Sequence, residues 1–314
     1  MHTTRRLTSG LAALSAAALL AAGCGDGGGD AADVSICVGG EFATRPDGLP
    51  GLEEAYDFEF PADAVTALDE DALVYSEVDA GNCTFGSIFA TDGRVGALGL
   101  TVLEDDEGFF PPFNGSLTVR ADVLEANPEL EELFAPISEV LDDETMVELN
   151  AQVDVEGEDP EDVARAWLDE NSDLVEDVDL SGASFTVGSK EFTEQLILGH
   201  LTMLVLEEAG ADVRDRTGLV GSTTVREALL SGDIDMYWEY LGTGWVTYLD
   251  NTEAIPDVDE QYEALQAADE ANGVAWLPPA PFNNTYAIAM TEERADELGI
   301  STISEMAELV REEG

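Results

Sequence analysis

The chain has 314 residues, 68 of them Asp or Glu against 12 Lys or Arg, for a formal charge of −56 at pH 7. With 45% apolar residues and near-neutral mean hydropathy, and with the acids spread among periodic apolar segments, this is a folded acidic protein of one or two domains rather than a disordered tail. A surface this acidic excludes nucleic acid and anionic lipid as partners; it stays soluble where salt screens it, so a salt-adapted source is expected.

Residues 1–23 read as a secretory signal. Arg5 and Arg6 make the charged start, Leu11 to Ala22 form an apolar run too short to span a bilayer, and small residues precede Cys24. Leu20-Ala21-Ala22-Gly23-Cys24 resembles a bacterial lipobox, whose cysteine becomes the lipidated first residue; plain secretion with cleavage nearby is the alternative. Residues 24–33, rich in Gly and Asp, would serve as a flexible tether. Once Cys24 is assigned to lipid, Cys37 and Cys83 remain as a pair in an oxidising compartment. They are expected as a disulfide, with two buried thiols as the alternative. No later run approaches spanning length, so the protein is expected on the extracellular face of the cell membrane, anchored by its N-terminus.

Further along, the spacing predicts helices over 123–141, 143–150 and 160–170, the last opened by Asp159-Pro160-Glu161. From Phe185 strand and helix alternate: a strand at 185–187, a helix over 192–208 that is apolar nearly all round and so buried, a polar stretch at 217–223, a helix over 224–230, and a strand at 234–240. This βαβαβ pattern predicts an α/β protein with a parallel sheet. Two segments echo each other, Pro111-Pro112-Phe113-Asn114-Gly115-Ser116 and Ala280-Pro281-Phe282-Asn283-Asn284-Thr285, as paired crossings between two lobes would; coincidental turn chemistry is the other explanation.

Catalytic chemistry is scarce. Cleavage of the signal leaves one histidine, His200, in a segment where a satisfied helix histidine is expected rather than a catalytic one, and no zinc spacing, EF-hand loop or phosphate-binding glycine loop is present. No metal and no cofactor is expected, and the chain is not expected to be an enzyme; a Schiff-base role for Lys190 has nothing else behind it. Yet Lys190 is the only lysine, set in Gly188-Ser189-Lys190-Glu191-Phe192-Thr193-Glu194-Gln195. Met236, Trp238 and Tyr240 share one strand face, closed by Leu241-Gly242-Thr243-Gly244, at the strand end where ligands of open α/β sheets sit. Aromatic faces there would hold a quaternary ammonium, which has no N–H to donate, while Lys and Thr donate to a carboxylate. Core packing is the bland reading for Trp238 and Tyr237.

The motifs Val187 to Gln195, Ser231-Gly232-Asp233-Ile234-Asp235, Trp238 to Gly244 and Pro279 to Tyr286 resemble the glycine betaine/carnitine/choline substrate-binding proteins of osmoprotectant ABC transporters. So do Glu41-Phe42 with Arg45 to Gly51, Thr91-Asp92-Gly93-Arg94, Val102 to Asp106 with Phe109 to Pro112, Glu148-Leu149-Asn150 and Val153 to Gly157. Their order departs from the family, in which the Gly-Ser-Lys motif opens the domain and the Val-Asp-Val-Glu-Gly helices close it. Here the closing part comes first, as in a circularly permuted single receptor.

The resemblance implies a two-lobed type II periplasmic-binding-protein fold in circularly permuted order. One lobe would run over 114–284, with the old termini joined near 171–184; the other would combine 34–110 with 288–314, with hinge crossings near 110–114 and 284–288. It also implies Lys190 and Thr243 as carboxylate donors, Arg45 as the carboxylate clamp of the other lobe, Tyr240, Tyr286, Phe89 and Phe113 as an aromatic box, and Gln195 as an additional polar contact. The implied function is that of an extracellular receptor for glycine betaine, with choline, carnitine, proline betaine or ectoine as alternatives, delivering to an ABC permease for osmotic protection. An acidic surface lipoprotein with no transport role is the reading from a different class.

Overall fold

The computed structural model describes residues 34–175, 178–251 and 255–313; the signal, the tether and Cys24 lie outside them. The first stretch lays down β1 (Ile36–Gly39), α1 (Leu49–Ala55), β2 (Val65–Leu68), α2 (Asp71–Asp79), β3 (Phe85–Phe89), α3 (Arg94–Ala97) and β4 (Leu100–Val102). The middle forms β5 (Gly115–Arg120), α4 (Ala121–Ala126), α5 (Glu129–Val140), α6 (Asp143–Asp154), α7 (Pro160–Glu170), β6 (Ser184–Lys190), α8 (Thr193–Glu208), β7 (Asp212–Leu219), α9 (Ser222–Ser231), β8 (Met236–Tyr240), α10 (Val258–Asp269) and β9 (Val274–Trp276). The chain then returns through β10 (Tyr286–Thr291), α11 (Glu292–Leu298) and α12 (Ile303–Glu313).

Two five-stranded sheets result, ordered β2-β1-β3-β10-β4 and β7-β6-β8-β5-β9. In each, a parallel trio (β2, β1, β3 and β7, β6, β8) is joined by one strand running against it, β10 in the first sheet and β5 in the second. The architecture is therefore two sheet-and-helix lobes of mixed α/β type, and the chain passes between them after β4 and again after β9. The two passages run side by side: Asn114 and Asn283 form an antiparallel bridge, and Phe113 N donates to Asn283 Oδ1 at 2.7 Å. The echoed Pro-Phe-Asn segments are thus in contact. Cys37 on β1 is bonded to Cys83 just before β3, with their Cα atoms 5.7 Å apart.

Several expectations shift. The single helix over 123–141 is two, α4 and α5, broken at Asn127-Pro128. Proline has no amide hydrogen and pushes its predecessor out of the helical region, and Asn127 accordingly has φ −136° and ψ 68°. The helix at 143–150 continues to Asp154, with Asp142 accepting from the amide of Thr145 as its N-cap. The polar stretch at 217–223 begins inside a strand, because β7 runs to Leu219; as an edge strand paired to β6 through its backbone it needs no continuous apolar face. α8 is buried along most of its length, as its all-round apolarity requires. His200, on that helix, is not the satisfied histidine expected, since its Nδ1 is buried without a hydrogen-bond partner among the described residues.

Candidate functional site

A cavity of about 230 Å³ opens between the two sheets at the C-terminal ends of their parallel strands. Its wall includes Arg45, Phe89 and Tyr286 from the elements of the first sheet, Lys190, Tyr240 and Thr243 from those of the second, and Phe113 from a passage between them. A larger chamber of about 520 Å³ shares Phe89, Phe192 and Asn284 with it, so the two are parts of one cleft.

The strand ends decide which groups meet. Lys190 is the last residue of β6 and lies 49 positions from Glu239 on β8, yet its Nζ donates to Glu239 Oε1 at 2.6 Å, both side chains being fully buried. Glu239 also accepts from the hydroxyls of Tyr237 at 2.8 Å and Tyr248 at 2.5 Å and from the amide of Tyr240 at 2.9 Å. The ammonium lies 5.0 Å from the centroid of the Tyr240 ring. A buried pair with every lone pair engaged is stable as a unit and costly to break from either side.

Arg45, in the loop after β1, is forked onto Asp47 through Nε at 2.8 Å and Nη2 at 2.5 Å. Nη1 reaches Glu41 at 3.3 Å, and Nη2 reaches Thr243 Oγ1, in the other lobe, at 3.4 Å. Burial alone would lower the pKa of the guanidinium; Tyr286, Asp47 and Glu41 raise it instead, so it stays charged. Glu41 in turn crosses the cleft, accepting from the amide of Ser222 at 2.8 Å and its hydroxyl at 2.9 Å.

The rings form a cluster rather than a row. Tyr286 lies 5.1 Å from Phe89 and 5.6 Å from Phe113 between centroids. Phe192 is stacked on Phe89 at 5.5 Å and 11°, and on Tyr240 at 6.2 Å and 20°, so three nearly parallel rings bridge the cleft. Phe113 reaches the wall because residue 242 is glycine; a Cβ there would stand 2.7 Å from the Phe113 ring.

Gln195 stands one layer back. It is fully buried and absent from the cavity wall, and it holds two wall residues: its Oε1 accepts from the Lys190 amide at 3.2 Å and its Nε2 donates to the Tyr240 hydroxyl at 3.1 Å. Beside it Glu194 accepts from Tyr240 OH at 2.6 Å, Asn284 Nδ2 at 2.8 Å, Thr91 Oγ1 at 2.5 Å and Asn150 Nδ2 at 3.1 Å, a knot joining both lobes. Burial pushes the pKa of Glu194 up, and these four donors pull it back only in part. Trp238 is core, with its indole N–H donating to Thr202 at 2.9 Å.

Sequence reasoning assigned no role to Phe192, Glu239, Glu41, Ser222 or Asn284. All but Ser222 stood inside the quoted motifs; Phe192 was open to notice there, whereas Glu239 and Glu41 were lost among 68 acids. Among the described residues no group of His, Cys, Asp and Glu is arranged to hold a metal, and no helix is long and apolar enough to cross a membrane.

The family profile described as the substrate binding domain of ABC-type glycine betaine transport systems matches residues 17–170 and 183–312. The glycine-betaine-binding protein of Pseudomonas aeruginosa is 44% identical over 127 residues, 40% of each chain. The glycine betaine-binding protein YehZ of Escherichia coli K12 is 34% identical over 130 residues, 41% of this chain and 43% of that one. The apo structure of YehZ from E. coli aligns with 30% identity over 44% of this chain and 50% of that chain, at a TM-score of 0.32. The chain thus spans about two fifths of the length of the curated relatives it matches. Two profile matches that together take in most of the sequence place this chain in the family of substrate-binding domains of ABC-type glycine betaine transport systems.

Proposed function

We propose that the chain is the extracellular solute receptor of an osmoprotectant ABC importer, tethered by lipid on Cys24, and that it binds glycine betaine or a related quaternary-ammonium solute in the cleft between its lobes. What carries this reading is the convergence of Arg45, Phe89, Phe113, Lys190, Tyr240, Thr243 and Tyr286, dispersed over most of the chain, on one cavity. Aromatic faces suit a cation with no N–H to donate, and Arg45 with Thr243 suits a small carboxylate. Three or four desolvated rings at about 1 to 2 kcal/mol each and two charge-assisted bonds at about 1.5 to 3 kcal/mol each exceed the roughly 8 kcal/mol of a micromolar site. The excess offsets lost freedom and closure. The relatives named as glycine betaine-binding proteins support the solute class. Choline, carnitine and ectoine are the alternatives within the same cavity.

The same reading takes 34–110 with 288–314 as one lobe and 114–284 as the other, in circularly permuted order, with the touching Pro-Phe-Asn passages as the hinge. The profile match that breaks between residues 170 and 183, where the old termini would be joined, supports it, as do the partial alignments to the relatives. A ligand touching both Arg45 and Lys190 would favour the closed form, which a permease would recognise.

Titration calorimetry on the full chain in mild detergent, with glycine betaine and choline, tests the receptor reading. Saturable binding that weakens at least about tenfold in Tyr240→Ala and in Arg45→Ala is expected, since each removes about 1.4 kcal/mol or more. Lys190→Ala needs a parallel thermal melt, because it leaves Glu239 buried without its cation at a cost of about 3 to 5 kcal/mol. No heat from any quaternary-ammonium solute would sink the receptor reading.

A further inference from the structure

Glu41 belongs to the loop after β1, yet its carboxylate is held by the opposite lobe. Its two oxygens take the amide and the hydroxyl of Ser222, the first residue of the ten-residue helix α9, at 2.8 and 2.9 Å. A third donor, Arg45 Nη1, lies at 3.3 Å. Burial would raise the pKa of Glu41, but the charges of Lys190 and Arg45 and the Ser222 bonds outweigh it and hold the group ionised. A helix N-terminus, a guanidinium and a nearby ammonium therefore converge on one carboxylate inside the cavity.

These are also the groups that a ligand carboxylate would need. The rest of the Arg45 fork is turned to Asp47, and the Lys190 ammonium to Glu239. Asp71 and Glu191 stand on the same wall. A second carboxylate arriving there finds the Arg45 fork committed to Asp47 and Glu41 and meets like charges close by, whereas a cation meets a field that favours it.

We propose that Glu41 is a specificity-determining residue: it fills the carboxylate subsite with the protein's own carboxylate, so a zwitterionic ligand must displace it, and the receptor is biased toward quaternary-ammonium solutes that bring no carboxylate. This rests on the reading of the cavity as a quaternary-ammonium site. Displacement is sterically open, because 41% of the Glu41 side chain is exposed.

The test is calorimetric titration of the full chain in detergent with choline and with glycine betaine, at one salt concentration, for wild type, Glu41→Gln and Glu41→Ala. Removing the charge is expected to tighten glycine betaine relative to choline by about tenfold in both variants. A circular-dichroism spectrum and a thermal melt matching those of wild type show that the variants are folded. A ratio of the two dissociation constants that stays within about threefold of wild type, or that moves toward choline, overturns the proposal while leaving the receptor reading in place. Binding of neither solute by wild type overturns the receptor reading and this proposal with it.

Discussion

Asp71 opens α2 with its carboxylate over Gly39, so close that a Cβ on that glycine would stand 1.7 Å from Oδ1. Burial, then Glu41 and then Glu191, raise its pKa from 3.8 to about 6. The folded state therefore keeps a proton that the unfolded chain has lost between about pH 4 and 6. Stability from this group falls as pH rises through that window and is level above it. Asp71→Asn keeps the shape without the charge. Denaturant unfolding at pH 4, 5, 6 and 7 should show the variant gaining on wild type across the window, ending more stable by on the order of 1 to 2 kcal/mol after solvent screening. Parallel curves for the two proteins would count against a raised pKa at this site. The residue scale also shows how far the site was legible. Lys190, Arg45, Tyr240 and Tyr286 were marked by rarity or by motif; Asp47 and Glu239 lay inside the same motifs, but their pairing with the two cations was not legible. For Glu239 that pairing comes from burial and from β8 lying next to β6, and neither is written in local sequence.

Among elements, the disulfide between Cys37 and Cys83 closes a separation of 46 residues that contains α1, β2 and α2. In the chain-entropy view, opening a loop of that length costs about 4 kcal/mol. Replacing both cysteines with alanine should lower the melting temperature accordingly, and wild type under reductant should follow; a melt unmoved by either change would mean that the bond restrains little. Element boundaries were legible where their chemistry is local. Helix α7 begins at Pro160 because Asp159 caps it, its side chain accepting from the amide of Glu161, and proline suits the first turn. The break between α4 and α5 carried a local sign in Asn127-Pro128, outweighed by the apolar spacing on either side. β7 left none: Asp212 to Leu219 alternates poorly and is a strand because β6 offers it a backbone partner.

For the whole molecule, 68 acids against 12 basic residues make self-repulsion a destabilising force on the compact state. Raising salt from about 0.1 M to 1 M shortens the screening length from about 10 to about 3 Å. The melting temperature should climb with sodium chloride over that range; a flat or falling trend would mean that the charges are spaced too widely to matter. The chain itself determined the acidity, the α/β alternation and the family motifs, since each is a property of residue type and short-range spacing. Only the tertiary structure decided that Phe192 stacks between Phe89 and Tyr240, that Lys190 is spent on Glu239, and that Glu41 reaches Ser222 181 positions away. Contacts of that kind depend on sheet order, strand register and the approach of two lobes, which are set by the packing of the entire chain and by no local pattern within it.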